Sequence, residues 1–317
     1  MEWLSCGIGL VILLAAGNCL VKGAVNLSLR IGIPALIVSL TIVAFGTSAP
    51  ELLIAINATL SGSSGIAIGN VVGSNTANIL LVLGVPALLK SLDTSKCDTQ
   101  PTYFYMMVAS IVFIALAFTG VFGIWQGAIL IVMLIIFLLK NLNDAHAYRN
   151  RDAEPYERGV LDLDGEVASI AGWKIVVLLA LGLIGLPLGA DILVDSASGI
   201  ARSFAISEAV IGLTLIAIGT SLPELSTAIV SVLRNQADVA LGNVIGSNIF
   251  NLLGIIGITA MIDDIVVDPS FLQFDLWIML AASTLLAPFV LFGWRITRLW
   301  GFALTTGYLL YVYLVLF

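Results

Sequence analysis

Long runs of apolar residues, separated by short polar stretches, follow one another along almost the whole chain. A helix needs roughly 20 mainly apolar residues to cross a hydrocarbon core about 30 Å thick. Runs of this kind predict ten transmembrane helices, with approximate spans of 3–28, 34–59, 66–90, 102–120, 122–142, 173–200, 207–232, 239–262, 272–293 and 297–317.

The predicted helices are of two kinds. The second, third, seventh and eighth are rich in Gly, Ser, Thr and Asn, whereas the fourth, fifth, ninth and tenth are almost purely lipophilic. Polar side chains are costly in lipid, and small residues favour helix contacts, so the first kind is predicted to lie inside the bundle. The only long hydrophilic stretch, residues 141–172, separates a first half, 1–140, from a second half, 173–317, each with five helices.

The composition is that of an all-α polytopic membrane protein. Of the 317 residues, 60% are hydrophobic and 10% charged, which is outside the range of soluble domains. The net charge of −7 gives no basic surface for nucleic acid, and nothing implies an obligate protein partner, so the expected surroundings are the lipid bilayer. Cys6, Cys19 and Cys97 lack the spacing of a metal or disulfide motif and are interpreted as packing residues.

The basic residues predict the orientation in the cell membrane. With ten helices, eleven of the thirteen Lys and Arg residues fall on one side, Arg202 falls on the other, and Lys22 lies inside the first helix. The positive-inside rule places the richer side in the cytoplasm. The linker 141–172 is therefore predicted to be cytoplasmic and both termini extracellular.

Two motifs occur twice at the same offset of 173 residues. TIVAFGTSAPE at 41–51 returns as TLIAIGTSLPE at 214–224, with seven identities in eleven, and GNVVGSNTAN at 69–78 returns as GNVIGSNIFN at 242–251, with seven in ten. These identities indicate an internal duplication. Because each half has five helices, the second copy enters the membrane upside down, which is a transporter architecture with its substrate site near the midplane.

The first motif predicts a broken helix that carries oxygen ligands. On a helix, Thr47 and Ser48 share a face with Glu51. Pro50 cannot donate a backbone hydrogen bond and clashes with the preceding turn, so carbonyls between Ala44 and Thr47 are expected to lose their helical partners. The second copy supplies the matching positions, which are Ala217, Thr220, Ser221, Pro223 and Glu224.

Two intramembrane glutamates predict a bound cation. Each carboxylate costs a few kcal/mol in the bilayer unless compensated, and two facing carboxylates repel. One divalent cation removes both penalties. Ser74 with Asn78, and Ser247 with Asn251, add a hydroxyl and an amide at i and i+4. An all-oxygen set without Cys or His suits Ca²⁺ and Na⁺, and the single histidine, His146, is expected in the linker loop.

The paired GTSxPE and GNxxGSN motifs resemble the two alpha-repeats of the sodium/calcium exchangers in the calcium/cation antiporter superfamily, and the resemblance covers essentially the whole chain. It implies alternating-access exchange of Ca²⁺ for Na⁺, with Glu51 and Glu224 as Ca²⁺ ligands. It also implies that the sodium ligands are the Ala44 and Ala217 carbonyls, Thr47, Ser48, Thr220, Ser221, Ser74, Ser247, Asn78 and Asn251.

The coupling ion follows from a departure in the second motif. Some relatives, including potassium-dependent ones, carry Asp where this chain has Asn251, and proton-coupled relatives carry an acid-His pair that is absent here. Na⁺ is therefore preferred, while H⁺/Ca²⁺ or another divalent cation exchange stays open as the alternative. An ion channel is disfavoured by the inverted repeat.

An intramembrane hydrolase using Ser48 or Ser221 is disfavoured because no histidine lies in the membrane. No enzyme activity and no cofactor is expected beyond the transported ions. Asp191 and Asp195 either line an outer entry path or lie at the membrane interface, and Thr41 and Thr214 are interpreted as structural.

Overall fold

The computed structural model describes residues 2–95, 97–151, 170–204 and 217–316. The helices of the first half are α1 (Glu2–Ile31), α2 (Ala35–Val38), α3 (Ala44–Thr47), α4 (Ala49–Leu60), α5 (Ser64–Leu80), α6 (Gly84–Leu89), α7 (Gln100–Ala117) and α8 (Ile124–Arg151). Those of the second half are α9 (Gly172–Ser203), α10 (Ala217–Gly219), α11 (Leu222–Leu233), α12 (Ala237–Ile249), α13 (Ile256–Ile262), α14 (Pro269–Gln273), α15 (Asp275–Leu285), α16 (Ala287–Leu291) and α17 (Arg298–Leu316).

Several of these helices are consecutive parts of one bent membrane segment. A π-helical turn, Ser39–Val43, joins α2 to α3, and a second one, Phe250–Ile255, joins α12 to α13. Six helical stretches among the described residues are long and apolar enough to cross a membrane, and the segment from α2 to α4, bent by 42°, makes a seventh. Together with α11, α15 to α16 and α17, they reproduce the ten predicted segments, although the start of the seventh lies outside the described residues.

The polar, glycine-rich helices form the centre of the bundle, as predicted. In each of the stretches Ser64–Leu89 and Ala237–Ile262, 83% of an apolar 18-residue segment is buried, compared with 28% of such a segment in Ile124–Tyr148. Lipid can solvate a lipophilic helix, whereas Asn and Ser side chains need protein partners in the membrane. The sequence contrast therefore separates the core helices from the lipid-facing ones.

Helices α1 and α9 lie side by side along one flank of this core. They approach closely because small residues line their interface: a Cβ atom at Gly182 would lie 2.6 Å from the Leu20 Cβ atom. Such close backbone contact is how membrane helices gain packing energy without a hydrophobic driving force.

The basic loops that the sequence predicts on one side do meet at one end of the bundle. Lys90 Nζ donates to the Leu233 carbonyl at 3.5 Å, and Arg298 donates to the Leu89 carbonyl at 3.2 Å. Arg295 pairs with Asp93 at 2.9 Å, and the pKa of Asp93 is lowered by its hydrogen bond from Ser95 and by this arginine.

Each end of the bundle also has a short strand contact. At the basic end, Leu92 forms an isolated antiparallel bridge with Ile296. At the other end of α7, strand β1 (Val121–Phe122) pairs with strand β2 (Ile265–Val266) in antiparallel register. These contacts tie a loop of one half to a loop of the other.

Two sequence expectations need correction. Helix α8 continues to Arg151 instead of ending near 142, so the first part of the predicted linker is helical. His146 accordingly lies on this helix, exposed, with its Nδ1 atom 2.8 Å from the Leu142 carbonyl. The helix continues beyond the apolar segment because its backbone hydrogen bonds do not depend on apolar side chains and form equally well outside the membrane. Residues 152–169 of the linker lie outside the described part of the chain.

Candidate cation site

The duplicated GTSxPE motif breaks two helices in the same way. Ser48 and Ser221 leave helical geometry, with φ/ψ of −86°/2° and −91°/3°. The proline that follows each serine falls in the first turn of α4 or α11, where a missing N–H leaves no helical bond unmade. Glu51 and Glu224 occupy the same first turns, and the positive end of each helix dipole favours their carboxylates.

Both carboxyl groups are buried and incompletely hydrogen-bonded. Glu51 and Glu224 are each 1% exposed, and the Glu51 Oε2 atom and both Glu224 oxygens lack a hydrogen-bond partner. The two groups lie close enough to interact with each other. Buried carboxylates require pairing with a cation, by metal coordination or by protonation.

Hydroxyl groups of one repeat reach the carboxylate and the amides of the other. The Thr47 hydroxyl lies 3.3 Å from Asn243 Oδ1 and 3.4 Å from Ser247 Oγ. Thr47, Ser48 and Ser247 also adjoin the Glu224 carboxyl group. The broken helix of the first repeat therefore meets the GNxxGSN helix of the second at one site, as the inverted repeat predicts.

A glycine makes this meeting possible. A Cβ atom at Gly246 would lie 2.7 Å from both the Ala44 Cβ atom and the Leu40 carbonyl oxygen, so α12 touches the broken helix directly. In the other repeat, the same contact would be made by Gly69 and Gly73 against residues 209–217. Those residues lie largely outside the described part of the chain.

The structure adds asparagines that the sequence reasoning missed. Asn70 donates to the Glu51 carbonyl at 3.4 Å, and Asn243 accepts from Thr47. Asn75 and Asn248 bond each other's backbone carbonyls, at 3.2 and 3.4 Å. All four belong to the duplicated GNxxGSN text, so their identity at the same offset was the signal that could have found them.

Buried polar atoms without a hydrogen-bond partner concentrate around this site. Its unpartnered oxygens are Ser48 Oγ, Glu51 Oε2, Asn75 Oδ1, Asn78 Oδ1, Ser221 Oγ, Glu224 Oε1, Glu224 Oε2 and Asn251 Oδ1. Native proteins leave few such atoms unpaired, and a cation would satisfy an oxygen set of this kind. In the described ranges no group of three His, Cys, Asp or Glu side chains occurs, so neutral oxygens must complete any coordination shell.

The remaining candidate residues are placed as follows. Ser74 and Ser247 are buried, at 5% and 0% exposure. Thr220 is half-buried beside Ser221. Ala217 begins α10, and its side chain lies outside the description.

One detail of the broken helix differs from expectation. The Ala44 carbonyl does not lose its helical partner, because it accepts from the Ser48 N–H at 3.1 Å and from the Thr47 hydroxyl at 3.3 Å. The bonds recorded across the break are Ser48 N–H to the Ala44 carbonyl and Leu52 N–H to the Ser48 carbonyl, so the expectation fails for Ala44.

The residues that were interpreted as structural, and the two aspartates whose role was left open, are not part of the candidate site. The Thr41 hydroxyl bonds to Ile37 O in its own helix, at 2.7 Å, while Thr214 lies outside the described residues. Asp191 and Asp195 are exposed on α9. All three cysteines are free and half-buried, as a packing role predicts.

Ten helical segments in two inverted halves, with buried oxygen-bearing side chains of both halves brought together, define a membrane transporter for cations. The match to known proteins is more specific: the chain belongs to the sodium/calcium exchanger family, whose model, "Sodium/calcium exchanger protein", matches residues 1–142 and 174–317.

Individual relatives cover nearly the whole chain. It is 34% identical to the putative antiporter CaxA of Alkalimonas amylolytica, over 97% of this chain and 96% of the relative. It is 34% identical to the inner membrane protein YrbG of Escherichia coli (strain K12), over 96% and 94%. A solved structure of the sodium-calcium exchanger NCX_Mj, soaked with Na⁺ and Sr²⁺, superposes with a TM-score of 0.81 at 29% identity and covers 98% of this chain and 97% of that one.

These likenesses confirm the family, the fold of ten helices in inverted repeats and the multi-pass membrane location. The protein is a cation/Ca²⁺ exchanger of this family, which agrees with the sequence argument against an ion channel and against an intramembrane hydrolase.

Proposed function

We propose that the protein is an antiporter that exchanges Ca²⁺ for Na⁺ by alternating access, with one shared site between the repeats. The observation that carries this proposal is the pair of buried glutamates, one from each repeat, of which Glu51 Oε2 and both Glu224 oxygens lack hydrogen-bond partners. Their ligand shell is completed by Thr47, Ser48, Ser74, Asn78 and Ala44 and by the equivalents Thr220, Ser221, Ser247, Asn251 and Ala217.

The charge of the site explains competition between the two ions. Glu51 and Glu224 together carry two negative charges when ionised, which one Ca²⁺ neutralises. Na⁺ ions in the same site neutralise the same charge, so the two cations compete for the carboxylates. Two ionised carboxylates without a bound cation are costly to enclose near the membrane midplane. The conformational change is therefore favoured when the site is loaded, which leads to exchange.

Neutral amides at Asn78 and Asn251 support Na⁺ as the coupling ion. Beyond the two glutamates, the unpartnered side chains of the site are hydroxyls and amides, which bind Na⁺ but do not bind or release protons near neutral pH. NCX_Mj is itself a sodium-calcium exchanger. Proton coupling would therefore have to rely on Glu51 and Glu224 alone.

The basic end of the bundle supports a cytoplasmic position for the linker. Lys90, Arg295 and Arg298 meet there, and the linker is flanked in the sequence by Lys140 on α8 and Lys174 on α9. By the positive-inside rule, we place this end in the cytoplasm and both termini outside, in the cell membrane.

Ca²⁺ uptake into proteoliposomes tests the coupling ion. Vesicles loaded with Na⁺ and diluted into Na⁺-free medium are expected to accumulate Ca²⁺, whereas vesicles that carry only a pH gradient are not. Uptake that follows the pH gradient and ignores Na⁺ would establish H⁺/Ca²⁺ exchange instead.

Variants of the two glutamates test the site. Glu51→Gln and Glu224→Gln each remove half of the counter-charge, and we expect both to abolish Ca²⁺ transport while the protein still inserts. A ligand that binds only the folded state raises the melting temperature, so Ca²⁺ should stabilise the wild type in detergent and a chelator should reverse the effect.

The control for these variants is Asp263→Asn, which also neutralises a carboxylate but in an exposed loop. It should keep both transport and the Ca²⁺-induced stabilisation. Normal exchange by either glutamate variant would refute the site assignment.

A further inference from the structure

A chain of amide groups links the two repeats beside the carboxylates. Asn248, on α12, is 1% exposed. Its side-chain nitrogen donates to the Asn75 carbonyl at 3.4 Å and approaches the Met106 sulfur at 3.8 Å. Its side-chain oxygen accepts from Asn78 Nδ2 at 3.0 Å. Every partner of this second-repeat side chain therefore belongs to the first repeat.

The neighbours of Asn248 fix the direction of its amide. A backbone carbonyl and a thioether sulfur only accept hydrogen bonds. The NH₂ group of Asn248 must therefore face Asn75 and Met106, and its oxygen must face Asn78. Because that oxygen only accepts, Asn78 must offer its own NH₂ group.

This arrangement determines where the Asn78 oxygen points. With its nitrogen held by Asn248, the amide of Asn78 turns its oxygen away from that contact. The oxygen is buried and has no hydrogen-bond partner, which is a costly state for an amide oxygen in a protein interior. A cation in the site would supply the missing partner.

The mirrored set in the other repeat has the same residue types but lacks the equivalent bond. At the offset of 173, Asn75 corresponds to Asn248, Asn251 to Asn78, and Met279 to Met106. Asn75 Oδ1 and both amide atoms of Asn251 are unpartnered. Asn78 lies near the end of helix α5, whereas Asn251 lies in a π-helical turn.

We propose that Asn248 is a positioning residue of the cation site: by holding the amide nitrogen of Asn78, it directs the Asn78 oxygen at the bound cation. Both polar ends of the Asn248 side chain bond to protein groups, so we assign it no direct role as a ligand. The inference rests on the proposed function, since it takes Asn78 as a ligand.

A double-mutant cycle tests the positioning role. Asn248→Leu keeps a side chain of similar size and removes the acceptor, and Asn78→Ala removes the oxygen that it orients. The measurement is the KM for Ca²⁺ uptake into Na⁺-loaded proteoliposomes. We expect Asn248→Leu to raise KM on the order of tenfold, with the maximal rate near that of the wild type.

The coupling between positions carries the test. In the Asn78→Ala background, Asn248→Leu should have no further effect on KM, because the oxygen to be oriented is gone. In the Asn251→Ala background, the effects of the two substitutions should multiply. A merely structural role of Asn248 would not distinguish the two asparagines.

Three outcomes would overturn the inference alone while wild-type uptake is normal: an unchanged KM in Asn248→Leu, effects that multiply with Asn78→Ala, or equal coupling to Asn78 and Asn251. If Asn248→Leu does not yield a monodisperse protein, Asn248→Ala removes the same acceptor with less bulk and enters the same cycle. Absence of Na⁺-driven uptake by the wild type would overturn the proposed function, and this inference with it.

Discussion

Gly246 lies where α12 crosses the broken helix of the first repeat, and the structure allows the effect of adding one methyl group there to be calculated. The new Cβ atom would lie 2.7 Å from the Ala44 Cβ atom and 2.7 Å from the Leu40 carbonyl oxygen, whereas ordinary contacts begin at 3.4 Å. Gly246→Ala must therefore separate the two segments by the difference, about 0.7 Å.

A displacement of this size matters because both segments carry proposed ligands. Ser247 follows Gly246, and Thr47 lies one helical turn after Ala44, with the two hydroxyl oxygens 3.4 Å apart. Ca²⁺ ligand distances span only about 2.3 to 2.6 Å, a tolerance smaller than the displacement. Overpacking of a core typically costs about 1 to 3 kcal/mol, which disturbs the site but leaves a membrane bundle folded.

We therefore expect Gly246→Ala to raise the KM for Ca²⁺ uptake into proteoliposomes by about tenfold or more, the equivalent of about 1.4 kcal/mol. Gly307→Ala is the matched control, because it also adds a methyl group to a helical glycine and the structure describes no atom within 4 Å of the new Cβ. It should behave as the wild type.

A compensating change sharpens the test. Ala44→Gly in the Gly246→Ala background removes the contact with the Ala44 Cβ atom but leaves those with the Leu40 carbonyl oxygen and Cα atom, so the recovery should be partial. A folded Gly246→Ala protein with wild-type KM would refute the reasoning from close packing to ligand geometry.

Two further predictions concern the hydroxyls and the orientation. Thr47→Val, which removes the hydroxyl beside Asn243 and Ser247, should raise the KM for Ca²⁺ by roughly tenfold. Thr41→Val, which loses only a bond within its own helix, should leave uptake unchanged. Equal effects of the two substitutions would contradict the proposed site. An epitope tag after Phe317 should be accessible to antibody on intact cells, and a tag protected until the membrane is permeabilised would reverse the proposed orientation.

Much of the fold was predictable because the bilayer constrains the chain so strongly. A segment that crosses lipid must satisfy its backbone internally and must be long enough to span it, so hydropathy alone finds the ten segments. The repeat at offset 173, together with an odd number of helices per half, then requires the inversion. The polar composition of the third and eighth segments also identifies them as the core.

The site was predictable only in part. Residue types and helical spacing placed Glu51, Glu224 and the neighbouring hydroxyls on faces of broken helices, since those relations are local. They did not reveal that the Ala44 carbonyl keeps its helical bond, nor that α8 continues through the start of the linker, because both depend on the backbone geometry adopted next to a break or a membrane edge.

The sequence by itself determined the class of protein, the inverted repeat and the oxygen-only chemistry of the site, because these follow from composition and from spacing along a single helix. Only the tertiary structure decided which asparagine side chains form hydrogen bonds with each other. Asn248 meets Asn78 and Met106 across more than a hundred residues of chain, and the mirrored Asn75 has no such bond to Asn251. Asn251 lies in a π-helical turn, whereas Asn78 lies in an α-helix. Identical motifs therefore occupy different environments, since hydrogen bonds between helices depend on the packing of the whole bundle.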